Sequence, residues 1–221
     1  MSVFEILSLL ADGMVVSLEI FALTLVFALP LGMLICAGRM SKIKPIAGLF
    51  RIYISVMRGT PLMLQLFVVY YLPYYVLGIK LSVFGTGYKL FAVIAAFVLN
   101  YAAYFAEIYR SGIASMPQGQ YEAAKVLGMS RSQTFFVVIL PQVVRRVLPA
   151  LTNEVITLVK DTSLAFAIGQ IEMFTKAKMI AADETSMAPY AVAGVLYYIF
   201  NFVVATAMEK LEARFGKYSI K

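Results

Sequence analysis

The chain has 221 residues, of which 62% are hydrophobic and 14% are charged, and its formal net charge is +7. Soluble domains are about half apolar and about one quarter charged, so this composition indicates an integral membrane protein, a single domain over residues 1–221. In such a protein the basic excess belongs to cytoplasmic loops and does not indicate a nucleic-acid partner. One cysteine and no histidine exclude an intrachain disulfide and argue against zinc and haem sites, so we expect no metal.

Apolar stretches close to the roughly 20 residues that a helix needs to cross a bilayer recur five times along the chain. They predict an all-α fold with five transmembrane helices at Met14–Ala37, Pro61–Leu77, Lys89–Tyr109, Pro149–Ile168 and Tyr190–Met208. The second stretch is short, and its helix could begin as early as Tyr53. Ser2–Leu10 is predicted to form a separate short amphipathic helix along the membrane interface.

Lys and Arg are unevenly distributed among the predicted loops. Fourteen lie on one side of the membrane, after the first span, between the third and fourth spans and after the fifth, whereas four lie on the other side. The positive-inside rule therefore predicts an N-terminus outside the cytoplasm and a C-terminus within it.

A polar segment at residues 111–141 separates the third and fourth spans and is therefore predicted to be cytoplasmic. Ser115–Gln118 and Ser130–Gln133 both have the spacing of a capping box, and Gly128 suits the left-handed position that ends a helix. We predict two short helices joined at Gly128, the second closed by Pro141. The plain alternative is an amphipathic loop that lies on the headgroups.

Within this segment, EAAKVLGMSRSQTFFVVILP resembles the EAA motif of membrane subunits of ATP-binding-cassette (ABC) importers, with Val138 in place of isoleucine. The resemblance implies that the first short helix docks in a groove of a separate ATPase subunit, one of a pair that bind ATP and Mg²⁺ and carry out the hydrolysis. This chain is then expected to be no enzyme and to hold no cofactor itself. The residues implied in ATPase coupling are Glu122, Ala123, Ala124 and Gly128.

Two further segments, Arg58–Leu62 (RGTPL) and Lys160–Leu164 (KDTSL), are similar to signatures of permeases for polar amino acids such as histidine, arginine and glutamine. By itself the first would indicate a helix start and an interface anchor. The resemblance implies a type I ABC importer fold in a bacterial inner membrane, surrounded by lipid. It also implies an extracytoplasmic binding protein and a second permease copy, for which we expect a homodimer.

The predicted fourth span carries three charged residues, and charges inside the bilayer commonly face a cavity or pair with one another. Glu154 and Asp161 are seven residues apart, about 10.5 Å along a helix, and share a face with Thr157. Lys160 points elsewhere and could reach Glu107, extend to the interface, or pair with Asp161 across a dimer seam. A purely structural role for these charges is the alternative.

Asn100 and Glu107 likewise share one face of the predicted third span. If this face packs against that of Glu154, the two helices enclose a negatively charged pocket, to which Ser163 contributes if its helix is broken. Carboxylates favour a cationic side chain or an α-ammonium group, so we expect import of arginine, lysine or histidine. The predicted substrate-binding residues are Asn100, Glu154, Thr157, Asp161 and Ser163.

Three alternatives remain at this point. The substrate could be glutamine or another polar amino acid. The chain could be an ion-coupled secondary transporter, although such folds commonly have inverted repeats and more spans. A membrane-embedded hydrolase that uses the carboxylates would lack histidine and any supporting motif.

Overall fold

The computed structural model describes residues 1–85 and 87–216, and this part of the chain is helical without any strand. Two short 3₁₀ segments, Leu81–Phe84 and Thr162–Ile168, and one π-helical segment, Thr134–Ile139, interrupt the α-helices. The α-helices are α1 (Val3–Arg39), α2 (Lys44–Gly59), α3 (Leu62–Leu77), α4 (Tyr88–Ala114), α5 (Gln118–Val126), α6 (Arg131–Gln133), α7 (Leu140–Asp161), α8 (Met173–Asp183) and α9 (Ala188–Gly216). The predicted all-α class is confirmed.

Four helical stretches of the described residues are long and apolar enough to cross a membrane: Val3–Arg39, Tyr88–Ala114, Arg131–Ile168 and Ala188–Phe215. Helices α2 and α3 pass the same test together, but they meet at a bend of 112°. By length and composition, the described residues thus contain four candidate spans, or five if the bent pair is counted as one span.

Helix α1 is continuous over 37 residues, so the prediction of a separate interfacial helix at Ser2–Leu10 is wrong. A capping box starts the helix at its first residues: the Ser2 hydroxyl accepts from the Glu5 amide, and the Glu5 carboxylate accepts from the Ser2 amide. Ile6 and Leu10 are buried against α8 and α9. These two side chains are thus covered by protein instead of membrane.

The predicted second span, Pro61–Leu77, coincides with α3, but this helix does not begin as early as Tyr53, because the chain turns sharply between α2 and α3. Thr60 has an extended backbone (φ −123°, ψ 148°), the conformation that a following proline favours. Pro61 itself precedes the first turn of α3, where its missing N–H breaks no hydrogen bond.

Pro141 does not close the second short helix as predicted, because it lies in the first turn of α7. The π-helical segment Thr134–Ile139 directly precedes α7. A proline ring clashes with the carbonyl four residues earlier, and widening the preceding turn relieves that clash. The helix then continues through Pro149, the predicted start of the fourth span, as far as Asp161.

Helix α4 is the centre of the core and packs against α1, α2, α3 and α7. Phe97, Tyr101 and Phe105 are fully or almost fully buried along it. Its contact with α1 is close at Gly32, where an added Cβ would lie 2.9 Å from the Cβ of Phe105. This central position brings residues 100–104 of α4 between the α2–α3 bend and α7.

Candidate functional site

Tyr101 links α4 to the carboxylate at the end of α7. Its hydroxyl donates to Asp161 Oδ2 at 2.7 Å, and its side chain is 2% exposed. The sequence analysis did not single out Tyr101, because tyrosine in an apolar helix is ordinarily read as packing. Its proximity to Asp161 depends on contact between two helices 60 residues apart in the chain.

Glu154 lies two turns before Asp161 on α7, and both are partly buried. Neither takes part in an ion pair with any residue in the ranges 1–85 and 87–216. Arg58 lies in the last turn of α2 and forms no ion pair with either carboxylate. The two carboxylates on α7 therefore have no direct cationic partner in the described part of the chain.

Arg58 has a second role beyond the interface anchor that its sequence context suggests. Its guanidinium carbon lies 5.3 Å from the centre of the Tyr104 ring, within range of a cation–π interaction. Tyr104 in turn lies beside Tyr101, with 6.4 Å between ring centres. A line of side chains thus runs from α2 across α4 to Asp161 on α7.

Asn100 was expected to face α7, but its side chain is directed to the α2–α3 bend. It is 5% exposed, and its Nδ2 donates to Gln65 Oε1 at 3.0 Å and to the Met57 carbonyl at 3.1 Å. The pocket predicted between α4 and α7 is therefore bridged by Tyr101 instead of Asn100.

Thr157 and Ser163 donate their hydroxyl hydrogens to their own helix, at the carbonyls of Asn153 (2.9 Å) and Lys160 (2.8 Å). Their oxygens can still accept a hydrogen bond. Ser163 lies in the 3₁₀ segment that continues α7 without a break, so its place in the substrate site stays a prediction.

Lys160 does not pair with Glu107, because Glu107 accepts from Arg110 on the same helix, with Nε–Oε2 at 2.9 Å. Lys160 is exposed, which leaves extension to the interface and a partner across a dimer seam as its alternatives.

The part of the chain that the structure describes has no group of three or more His, Cys, Asp or Glu side chains placed to hold a metal ion.

The turn after α5 matches its sequence signals. Gly128 has φ +73°, its amide donates to the Lys125 carbonyl, and the Met129 amide donates to the Ala124 carbonyl. This pattern is a Schellman motif. The predicted second capping box is confirmed, because the side chains of Ser130 and Gln133 each accept from the other's backbone amide.

The first predicted capping box, Ser115–Gln118, is wrong. The Ser115 hydroxyl donates to the Gly112 carbonyl at 2.8 Å and so helps to end α4. Helix α5 begins at Gln118 without a side-chain cap, and Pro117 precedes it.

The surface of α5 differs from the small-residue surface expected from its alanines. Glu122 and Ala123 are exposed, but Ala124 is 2% exposed and packs within the chain. Val126 and Leu127 at the end of α5 are 88% and 78% exposed. The sequence analysis missed these two apolar side chains, although their position next to Gly128 was a signal for them.

A second buried carboxylate, Glu172, was missed entirely. It is fully buried, caps α8 by accepting from the amides of Phe174 (2.6 Å) and Thr175 (2.8 Å), and accepts from the Tyr197 hydroxyl at 3.1 Å. Ser17 lies 3.5 Å away on α1. We call Ser17, Glu172, Thr175 and Tyr197 the Glu172 cluster. Burial raises the pKa of Glu172, an effect that the hydrogen bonds from Phe174, Thr175 and Tyr197 partly oppose.

Comparison with known proteins shows to which family the chain belongs. Residues 28–217 match the family described as "Binding-protein-dependent transport system inner membrane component". The chain belongs to this family. It is 36% identical over 96% of its length to the L-cystine transport system permease protein TcyB of Bacillus subtilis, of which 89% is covered. It is 32% identical over 92% of its length to the arginine transport system permease protein ArtQ of the same species, of which 90% is covered.

The octopine transport system permease protein OccM of Rhizobium radiobacter is 38% identical over 85% of this permease and 79% of that protein. Among solved structures, a crystal structure of an amino acid ABC transporter with histidines has a TM-score of 0.85 at 29% identity, covering 97% of this permease and 99% of that chain. The MetNI methionine ABC transporter in an inward-facing conformation (TM-score 0.74, 20% identity, 97% and 99% covered) shares the fold. The permease thus has the type I ABC importer fold, and its relatives are amino-acid permeases.

Proposed function

We propose that this permease forms the membrane path for basic amino acids, namely arginine, lysine and histidine, in a binding-protein-dependent ABC importer. Its relatives named above transport amino acids, and one of them transports arginine. The choice of basic substrates rests on the site and not on these names.

The observation that carries the proposal is the pair of carboxylates on α7. Glu154 and Asp161 lie in a membrane-spanning helix, and no ion pair within the described residues includes them. A carboxylate removed from water without a counter-charge is strongly unfavourable. A cationic substrate supplies that counter-charge while it passes, whereas a neutral side chain does not.

Arg58 supplies the opposite charge that an amino acid also requires. Its guanidinium lies over Tyr104, on the same line of side chains that ends at Asp161. Arginine binds carboxylates through two parallel hydrogen bonds. A zwitterion with its α-carboxylate at Arg58 and its cationic groups at Glu154 and Asp161 therefore matches the charges of this site, with Thr157 and Ser163 as acceptors.

The segment 118–133, which we call the coupling segment, is the proposed contact with the ATPase. It comprises α5, the Gly128 turn and α6, and it places Glu122 and Ala123 on an exposed surface beside Val126 and Leu127. Exposed apolar side chains on a helix suit a groove in a partner protein. Ala124 supports this surface from within, because it is buried against the permease itself.

The remaining parts of the assembly follow from the same proposal. The coupling segment faces the cytoplasm of a bacterial inner membrane, where two ATPase subunits bind ATP and Mg²⁺. The N-terminus of α1 lies on the outer side, where a binding protein delivers the substrate. A second copy of this permease completes the path as a homodimer.

Substrate binding to the purified permease–ATPase complex, measured by calorimetry without the binding protein, tests the proposal. Arginine and lysine should bind more tightly than glutamine. Glu154→Gln should weaken arginine binding at least tenfold and glutamine binding less than twofold, because it removes a charge that only the cationic substrate needs.

Glu107→Gln is the matched control, since Glu107 is also a carboxylate on a spanning helix but is paired with Arg110. It should leave the order of affinities unchanged. If Glu154→Gln keeps the preference for arginine over glutamine, Glu154 does not select the substrate and the basic-substrate proposal fails.

A second candidate substrate is cystine, for which the 36% identical relative TcyB is named. Cystine carries two α-ammonium groups, and two carboxylates on one helix face suit two ammonium groups as well. The same calorimetry separates the candidates, because tighter binding of cystine than of arginine or lysine would favour the second.

A further inference from the structure

We propose that Gln65 and Asn100 form a brace that fixes the bend between α2 and α3 and so positions Arg58. The brace itself is inferred from the hydrogen bonds of Gln65 and Asn100 and does not depend on the substrate. That Arg58 then contacts the substrate carboxylate rests on the function proposed above.

The bend creates a need for hydrogen-bond donors. The last carbonyls of a helix have no partner within it, and here α2 ends at Gly59, followed by an extended residue and a proline without an N–H. Side-chain donors can therefore satisfy these carbonyls. The Met57 carbonyl is one of them, and Met57 is partly buried, so a donor there replaces water.

Gln65 reaches back from the first turn of α3 to supply these donors. Its Nε2 lies 2.9 Å from the Met57 carbonyl, 3.1 Å from the Thr60 carbonyl and 2.8 Å from the Thr60 hydroxyl. The Thr60 hydroxyl in turn donates to the Val56 carbonyl at 2.8 Å. One side chain thus joins both helices across the bend.

Asn100 holds the same point from α4. Its Nδ2 donates to Gln65 Oε1 and to the Met57 carbonyl. Two amide groups from two different helices therefore converge on the carbonyl that immediately precedes Arg58. The direction of the last turn of α2 is set by this pair.

The second contact with α4 lies one turn further along. Tyr104 follows Asn100 by four residues, so the two side chains lie on the same face of α4. Asn100 binds the backbone at Met57, and the Tyr104 ring receives the Arg58 guanidinium. One turn of α4 thus holds the main chain at Met57, and the next turn holds the side chain of Arg58.

Gln65→Met removes the donors and keeps the length of the side chain, so it tests the positioning role. In the purified permease–ATPase complex without the binding protein, we expect calorimetry to show that arginine binds at least tenfold more weakly than to wild type. We also expect the preference for arginine over L-argininamide, which lacks the α-carboxylate, to fall at least fivefold.

Tyr53→Phe is the matched control. The Tyr53 hydroxyl donates to the Leu99 carbonyl at 2.6 Å, so it also joins α2 to α4, but it does not touch the bend. This variant should keep the wild-type preference for arginine over argininamide. An equal loss of preference in both variants, or no loss in Gln65→Met, would overturn the brace as a positioning device.

A measurement without substrate separates failure of the brace from failure of the proposed substrate. The substitutions Arg58→Cys and Tyr104→Cys, combined in a Cys36→Ser background, introduce two thiols that report how closely the end of α2 approaches α4. A short bismaleimide should join them several-fold faster in the otherwise wild-type chain than in Gln65→Met. Equal rates overturn the brace even if arginine is the substrate, and a difference supports it even if arginine is not.

Discussion

The coupling segment and the Glu172 cluster both satisfy polar groups at a helix start, but they draw on partners at different distances. At α6, Ser130 and Gln133 pair with each other three residues apart, and both are exposed. At α8, Glu172 is buried and accepts from neighbouring amides but also from Tyr197, 25 residues away, with Ser17 of α1 close by. The first arrangement is complete within a few residues, whereas the second exists only when three helices have assembled.

This contrast predicts where a mutation acts. In the Glu172 cluster the side chains form hydrogen bonds within the folded chain, so changes there should reduce the free energy of unfolding. In the coupling segment the apolar side chains of Val126 and Leu127 have no cover within the described residues, so changes there should reduce partner binding. Two variants test this division and a third tests the Gly128 turn itself, in order of expected effect.

Glu172→Ala should have the largest effect, lowering the free energy of unfolding by about 3 kcal/mol or more, because hydrogen bonds to a charged group are each worth about 1.5–3 kcal/mol and several donors lose their acceptor. Thermal unfolding of the detergent-solubilised permease, followed by fluorescence-detected gel filtration, measures it. Glu122→Ala removes an exposed glutamate and should shift the midpoint little. Similar midpoints for both variants would contradict the assigned role of Glu172.

Leu127→Asp should weaken association with the ATPase by at least thirtyfold, equivalent to about 2 kcal/mol, as expected for an apolar anchor of an interface. The unfolding midpoint should remain near the wild-type value, since Leu127 is 78% exposed. Co-purification and surface plasmon resonance with the ATPase measure the loss. Phe136→Asp is the comparison, because Phe136 is also exposed but lies beyond the coupling segment. Equal losses would mean that α5 is not the specific contact.

Gly128→Ala should have the smallest effect, a destabilisation of about 1 kcal/mol, because φ +73° is unfavourable for a residue with a Cβ. Gly119→Ala, in the first turn of α5, should go in the opposite direction by up to about 0.5 kcal/mol, since its Cβ would meet nothing within 4 Å and alanine favours the helix. Shifts of the thermal midpoint in opposite directions, downward for Gly128→Ala and upward for Gly119→Ala, would confirm the Gly128 turn. Equal shifts would count against it.

The same contrast explains how much the sequence could predict. Gly128 and the Ser130 capping box were predictable because their partners lie within three or four residues. The Ser115 box failed although its spacing was as good, because that serine serves the end of α4 instead. The carboxylates of Glu154 and Asp161 were identifiable as charges in an apolar helix.

Their surroundings were not predictable, because they depend on which helices meet. The bonds from Tyr101 to Asp161 and from Asn100 to Gln65 join residues 60 and 35 positions apart. No local pattern records that Asn100 turns to α2 and α3 while its neighbour Tyr101 turns to α7. Glu172 was missed for the same reason, since a lone glutamate after a span has no periodicity that marks it as buried.

Helix α1 approaches its neighbours closely at three glycines, and at one of them, Gly38, an added Cβ would overlap the Phe50 ring. An added Cβ would lie 2.8 Å from the Met173 Cα at Gly13 and 2.9 Å from the Phe105 Cβ at Gly32. These contacts are 19 residues apart, from 13 to 32, or about 28 Å along the helix, close to the roughly 30 Å thickness of the hydrocarbon core. The contacts at Gly13 and Gly32 are therefore separated by nearly the thickness of a hydrocarbon core. We expect a change in the tilt of α1 relative to α4 and α8 to strain both of them.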